Sequence, residues 1–220
     1  MSARTRAADS VALALVWRYA THAVMVAVCL WNERRAAPPL PDLVLDHVPY
    51  VELVARHNYH LWVLLYVPIA IWLWRRDRAS FLRFLWLGGL VSLARAVCVP
   101  LTGLGPPHGA DVNVSASAET LWSAWLAIVN PFTALTGDAA HVSLTKDMFF
   151  SGHVASTFLL WLACRGQKGL GVCALVAHVL VVASVFLAHL HYTIDVVGAY
   201  AITYALWAWA LARWPRAPDT

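Results

Sequence analysis

Two short stretches hold the residues that could do chemistry. One is Lys146-Asp147-Met148-Phe149-Phe150-Ser151-Gly152-His153 and the other is His191-Tyr192-Thr193-Ile194-Asp195. Each sets an imidazole or a carboxylate beside an apolar run long enough to enter a membrane. Ionisable groups are costly there and mark functional sites by default. His191 and Asp195 are four residues apart, which puts both on one face if the chain is helical. A carboxylate beside an imidazole selects its tautomer and stabilises its charged form. His153 follows Ser151-Gly152. Glycine lets backbone approach a ligand closely, and N–H groups at a helix start receive anions. Two imidazoles and a carboxylate of this kind suit phosphoryl transfer on a lipid. One imidazole nitrogen attacks phosphorus, and a second, protonated imidazole gives its proton to the leaving alkoxide. An acceptor hydroxyl then attacks, with the second imidazole as base. Arginine or lysine would stabilise the phosphoryl oxygens. No metal-ligand spacing is visible, and the scheme calls for no metal or other cofactor. The plainer alternative is a set of interfacial polar residues that cap helices.

The elements that must position these groups are apolar helices. The 220 residues are 60% hydrophobic and 13% charged, against roughly 25% charged in a soluble domain. The composition predicts an all-α integral membrane protein with one domain over 1–220. Six spans of near the ~20 residues a bilayer needs are expected at about 10–31, 58–74, 80–101, 149–164, 170–189 and 194–213. The first run is too long for a signal peptide and lacks a small-residue cleavage site, so it reads as an uncleaved anchor, with Arg18 snorkelling to the nearer surface. Twelve Trp residues fit two interfacial belts. Cys29, Cys98, Cys164 and Cys173 form no CxxC pair and read as small apolar residues.

Charge sets the orientation. Ten of the sixteen basic residues fall on one side of these spans, in short clusters such as Arg75-Arg76-Asp77-Arg78. The positive-inside rule puts both termini and that side in the cytoplasm. Clusters placed this way describe topology and not nucleic-acid binding. The active site and the long connection 102–148 then face the non-cytoplasmic side. Within that connection, Glu119 to Val129 is expected to form an amphipathic interfacial helix, with Leu121, Trp122, Trp125 and Leu126 toward lipid.

The separation of the two histidines is itself spatial information. His191 follows His153 by 38 residues. Two helical legs of roughly 16–18 residues at ~1.5 Å each descend and return through a bilayer. His191 is therefore expected at the depth of His153. Around them, Ser151 either orients phosphate or caps a helix. Asp147 holds Lys146 or His153, or sits favourably at a helix start. Arg95, inside the third span, needs a phosphate or an acid as partner. Glu119 receives a cationic headgroup or tunes a histidine, and Tyr192 either bonds a headgroup or anchors in the interface. His178 reads as a satisfied core histidine and His189 as a packing residue.

These residues carry a family resemblance. Phe150-Ser151-Gly152-His153 and His191-Tyr192-Thr193-Ile194-Asp195-Val196-Val197-Gly198-Ala199-Tyr200 resemble the two catalytic motifs of the sphingomyelin synthase family, within the type 2 phosphatidic acid phosphatase superfamily. Pro38-Pro39-Leu40-Pro41-Asp42, with Asp46-His47, resembles its first luminal motif, and Arg95 with Thr102 the second. Glu119 stands about where the family has an acidic residue. The resemblance implies six spans and an outward-facing site, with His191 as nucleophile, Asp195 as its partner and His153 as leaving-group acid. It implies transfer of a phosphoalcohol, phosphocholine or phosphoethanolamine, from a glycerophospholipid donor to ceramide or a similar lipid acceptor, with diacylglycerol released. Thr145-Lys146 replaces the usual Cys-Gly, the loop is short, and the animal enzymes carry additional N-terminal sequence. A compact bacterial member is expected, in the inner membrane with its site toward the periplasm. Assembly as a homo-oligomer is compatible with such a chain.

Two rivals use the same residues differently. With water as acceptor the site would be that of a phospholipase C-like or lipid-phosphate hydrolase. The usual lipid-phosphatase signature is missing, however: there is no Lys-x6-Arg-Pro and no Ser-Arg before His191. A proton-coupled transporter would need polar residues near mid-bilayer and matching broken spans. Here the polar groups gather at one face.

Overall fold

The computed structural model describes residues 3–130 and 144–213. Among them are seven helices and no strand: α1 (Ala3–Asn32), α2 (Glu52–Arg76), α3 (Arg78–Leu101), α4 (Ala118–Val129), α5 (Gly152–Cys164), α6 (Leu170–Leu187) and α7 (Thr193–Arg213). Four stretches are long and apolar enough to cross a membrane: Val11–Asn32, Arg78–Leu101, Leu170–Leu187 and Thr193–Arg213. The chain is therefore an integral membrane protein.

The other two expected spans differ from these four for identifiable reasons. α2 is long at 25 residues, but Arg56, His57, Asn58 and His60 dilute its first half. α5 has only 13 residues, about 20 Å of helix. It is the centre of the bundle, contacting α2, α3, α6 and α7. Val154, Ala155, Leu159, Leu160, Leu162 and Ala163 are all buried on it.

Close helix contacts rest on small residues and polar ties. α1 packs chiefly on α3, where Gly88-Gly89 makes room for it. A Cβ on Gly89 would lie 2.0 Å from the Trp17 indole nitrogen, and one on Gly88 would lie 2.9 Å from Arg18 Nε. Arg18, expected to reach toward the nearer surface, turns to α3, where its Nη1 donates to Ser92 Oγ at 2.9 Å beside the space that Gly88 leaves. Asn58 Nδ2 donates to Ser184 Oγ at 3.0 Å and ties α2 to α6.

Both ends of the bundle are marked. At one end, Asp77 caps α3 by accepting from Ser80 N, and it also accepts from Gln167 Nε2 at 3.3 Å. The α2–α3 and α5–α6 turns therefore meet there. The ends of α1, α3 and α6 and the starts of α5 and α7 gather at the opposite end. α4 forms within the long connection as expected, but its faces are divided. Leu121 and Trp125 pack on the cluster of α1 and α3 residues, with Trp125 Nε1 donating to Ala23 O at 2.9 Å. Only Trp122 and Leu126 of the expected lipid-side set are exposed. The available α1 surface captures one side of the helix.

Candidate active site

Asp195 is the hub at the gathered end. It lies in the first turn of α7 and is completely buried. Oδ2 accepts from Tyr192 N at 3.0 Å and from His191 Nδ1 at 3.3 Å. Oδ1 accepts from Phe149 N at 3.0 Å. A carboxylate can only accept here, so His191 Nδ1 bears the hydrogen and Nε2 is the nitrogen with a free lone pair. The pairing expected from the four-residue step is present, but not on one helical face. α7 starts at Thr193, two residues after His191, and the contact closes across the helix N-terminus.

The same aspartate brings the other motif in. Ser151 N donates to Asp195 O at 3.1 Å. Residues 149 and 151 thus both dock on Asp195, and His153 stands in the first turn of α5 just beyond. The Trp62 ring meets the His153 ring edge to face at 5.8 Å, and Trp62 Nε1 donates to Ser156 Oγ at 3.1 Å. The two histidines lie at one end of the bundle, as the 38-residue spacing predicts.

Arg95 organises the strand of backbone that enters this site. Its Nε donates to Phe150 O at 2.8 Å and its Nη2 pairs with the Asp147 carboxylate. Asp147 therefore holds Arg95, and neither Lys146 nor His153. Lys146 is almost wholly buried and pairs with Asp111 Oδ1. Ser151 is the N-cap of α5 and accepts from Val154 N. Gly198 leaves room for Phe149, whose ring would lie 2.6 Å from a Cβ there.

Not every expected residue joins this group. Glu119 is exposed on α4, a helix that packs against α1. Tyr192 is buried, and its hydroxyl donates to Gly105 O at 3.1 Å and accepts from Leu40 N at 2.9 Å. Burial pushes the Tyr192 phenol up, with the Asp195 and Asp42 charges adding to it against the Leu40 N–H. His178 is a satisfied core histidine, bonded to Thr157 Oγ1 and Tyr200 OH at 2.8 Å each. His189 packs, giving Nε2–H to Val48 O and lying against Tyr50 and His108.

Sequence reasoning missed Glu33. It is completely buried at the end of α1 and accepts from Thr145 N, Thr145 Oγ1, Lys146 N and Asn113 Nδ2 at 2.6–2.9 Å. It anchors the segment that leads into Asp147. The one available signal was an acid ending an apolar run. Trp62 was missed because nothing in an aromatic-rich helix distinguishes one indole from another.

Residues 146–212 match the PAP2 superfamily C-terminal family, a segment that holds His153, His191 and Asp195 together. The chain is 29% identical over 188 aligned positions to Phosphatidylcholine:ceramide cholinephosphotransferase 1 of Homo sapiens, covering 80% of this chain and 45% of that protein. It is 28% identical over 179 positions to Sphingomyelin synthase-related protein 1 of Mus musculus, covering 77% and 37%. The chain thus spans less than half the length of these relatives. The matches support the resemblance drawn from the motifs: over about four fifths of its length the chain is similar to proteins of the sphingomyelin synthase type, and over 146–212 to the PAP2 superfamily C-terminal family.

Proposed function

We propose that this protein is a lipid phosphotransferase that moves a phosphoalcohol headgroup from a glycerophospholipid to the hydroxyl of ceramide or a similar lipid. The observation that carries the reading is the buried Asp195, which accepts from His191 Nδ1 and leaves Nε2 as the nucleophilic nitrogen. Nε2 attacks the donor phosphorus, forming an N–P bond as the P–O bond to diacylglycerol breaks. His153 gives its proton to the departing oxygen. The acceptor hydroxyl then attacks phosphorus, the N–P bond breaks, and the hydroxyl proton passes to His153. This returns both imidazoles to their starting states. The phosphocholine and ceramide in a relative's name make these the first donor and acceptor to test, and phosphoethanolamine is the second headgroup.

Arg95 supplies positive charge near the developing phosphoryl oxygens, from its ion pair with Asp147. Ser151 and Tyr192 hold backbone about the reacting centre. Glu119 would reach a headgroup only from the α4 side. In this reading the chain is one domain of six spans, α2 and α5 being the two beyond the four long apolar helices, with its site on the non-cytoplasmic face of a bacterial inner membrane. Assembly as a homo-oligomer is compatible with this reading.

The test supplies purified protein in mixed micelles with phosphatidylcholine or phosphatidylethanolamine, with and without ceramide. Headgroup transfer that requires ceramide supports the proposal. Free phosphoalcohol released at one rate in both conditions would assign the site to hydrolysis instead. His191→Ala is expected to abolish transfer, and full activity in that variant would remove the nucleophile assignment.

A further inference from the structure

The loop after α1 crosses the molecule to hold the two residues that follow His191. Asp42 Oδ2 accepts from Thr193 N at 2.5 Å and Oδ1 from Thr193 Oγ1 at 2.8 Å. The same carboxylate closes its own turn, accepting from Val44 N at 3.0 Å and Leu45 N at 3.2 Å. Two residues earlier in the loop, Leu40 N donates to Tyr192 OH at 2.9 Å. Tyr192 OH in turn donates to Gly105 O, and Gly105 N returns to Pro38 O at 2.9 Å. No side chain fits at 105, since a Cβ would lie 2.3 Å from Ala37 O. Arg35 seals the arrangement by donating to Pro100 O and Thr102 O at the end of α3.

Two rigid attachments thus flank His191 on its C-terminal side, and both come from 151–152 positions earlier in the chain. On its other side is the α6–α7 turn, where His189 takes a left-handed φ of 46°. His191 is not within a helix, so no ladder of backbone hydrogen bonds fixes it. Asp195 orients the ring through one hydrogen bond of 3.3 Å and takes the next backbone N–H, Tyr192 N, at 3.0 Å, but these bonds lie within the same turn and α7 start and do not fix that unit against the rest of the bundle. Asp42 ties it to the loop after α1 by bonding both the backbone and the side chain of Thr193, at the start of α7.

We propose that Asp42, acting through Thr193, is a positioning residue that sets the location of the His191 nucleophile. The prolines on either side of Leu40 keep the loop extended up to Asp42. The inference rests on the reading of His191 as nucleophile given above. Its kinetic signature is specific, because a misplaced nucleophile still binds donor lipid but attacks slowly. Displacements near 1 Å cost on the order of 10²-fold in rate.

The experiment measures the initial burst of diacylglycerol, and steady-state transfer to ceramide, from phosphatidylcholine in mixed micelles (or from phosphatidylethanolamine, if that donor supports transfer). Full-length wild type, Asp42→Ala, Thr193→Val, Thr193→Ser and His191→Ala are compared, each checked for monodispersity and Tm. Asp42→Ala is expected to slow the burst about ten- to a hundredfold with donor KM within about twofold of wild type. Thr193→Val, which loses only the Oγ1 bond, is expected to fall between, and Thr193→Ser to restore the wild-type burst. Thr193→Val carries the test if Asp42→Ala does not fold. An unchanged burst in a folded Asp42→Ala or Thr193→Val protein, with His191→Ala inactive, overturns the positioning role and leaves the nucleophile assignment standing. So does a Thr193→Ser protein as slow as Thr193→Val. Activity in His191→Ala overturns the nucleophile assignment and the positioning role with it.

Discussion

Gly152 and the Arg95 guanidinium occupy adjoining space with no room for a methyl group between them. A Cβ on Gly152 would lie 2.7 Å from Arg95 Nη1 and 2.9 Å from Cζ. The guanidinium has little freedom to retreat, since Phe150 O, the Met25 sulfur and Asp147 all hold it. Glycine at this point of the Ser-Gly-His motif is therefore a packing requirement of the arginine. Gly152→Ala is expected to destabilise the fold by about 1–3 kcal/mol, the usual cost of overpacking, and to lower transfer activity by displacing His153. A Tm and an activity both equal to wild type would show that the arginine moves freely.

Asp195→Asn separates charge from shape. The carboxylate faces three donors, Phe149 N, Tyr192 N and His191 Nδ1. An amide brings its own N–H groups against at least one of them, and the imidazole loses the group that selects its tautomer. Transfer is expected to fall by on the order of 10³–10⁴, as in other His–Asp pairs, while the protein stays folded. A loss under tenfold, measured with ceramide and the better donor, would mean that Asp195 is chiefly a helix cap.

Glu33→Gln tests the anchor below Asp147. Both carboxylate oxygens face only donors: Thr145 N and Lys146 N on one, Thr145 Oγ1 and Asn113 Nδ2 on the other. The glutamine amide would turn an N–H group toward a donor in a buried site. A penalty of about 1–3 kcal/mol is expected, read as a lowered Tm in detergent. An unchanged Tm would mean that the loop re-pairs without cost.

Asp42 gives the clasp a pH dependence of known sign. Burial opposes its ionisation, but the Thr193 N–H and hydroxyl, with Leu45 N–H and Val44 N–H, outweigh it and hold the carboxyl below its ordinary range. A depressed folded value means the stabilisation is present above the ordinary aspartate range, near about 3.9. It is lost as pH falls through the folded value. The Tm gap between wild type and Asp42→Asn is expected to be widest near neutral pH and to close in acid. A gap that stays constant from neutral pH to about pH 3 would place the effect outside that titration.

Much of the site was legible because its logic is local or additive along the chain. Apolar runs identify helices wherever the lipid solvent demands internally satisfied backbone, and α1, α3, α6 and α7 lie close to where hydropathy puts them. The chain length between His153 and His191 is a path length, so it predicts their common end of the bundle without knowledge of packing. Asp195 is close enough in sequence to His191 for their pairing to follow from spacing, even though the helix expected to present them begins at Thr193.

What only the tertiary structure decided are the partners of charges that are far apart in sequence. Arg95 takes Asp147, Lys146 takes Asp111, Asp42 takes Thr193 and Glu33 takes the 145–146 backbone. Residue types state that each buried charge must find a partner, and several candidates satisfy that demand on paper. The choice among them depends on helix rotations and close approaches, such as those that Gly88, Gly89 and Gly105 permit. Ångström-scale packing of this kind leaves no periodic signal along a chain. The sequence by itself therefore determined a membrane bundle and a His/His/Asp set at one end of it, while the scaffold that fixes those three groups in place follows from packing alone.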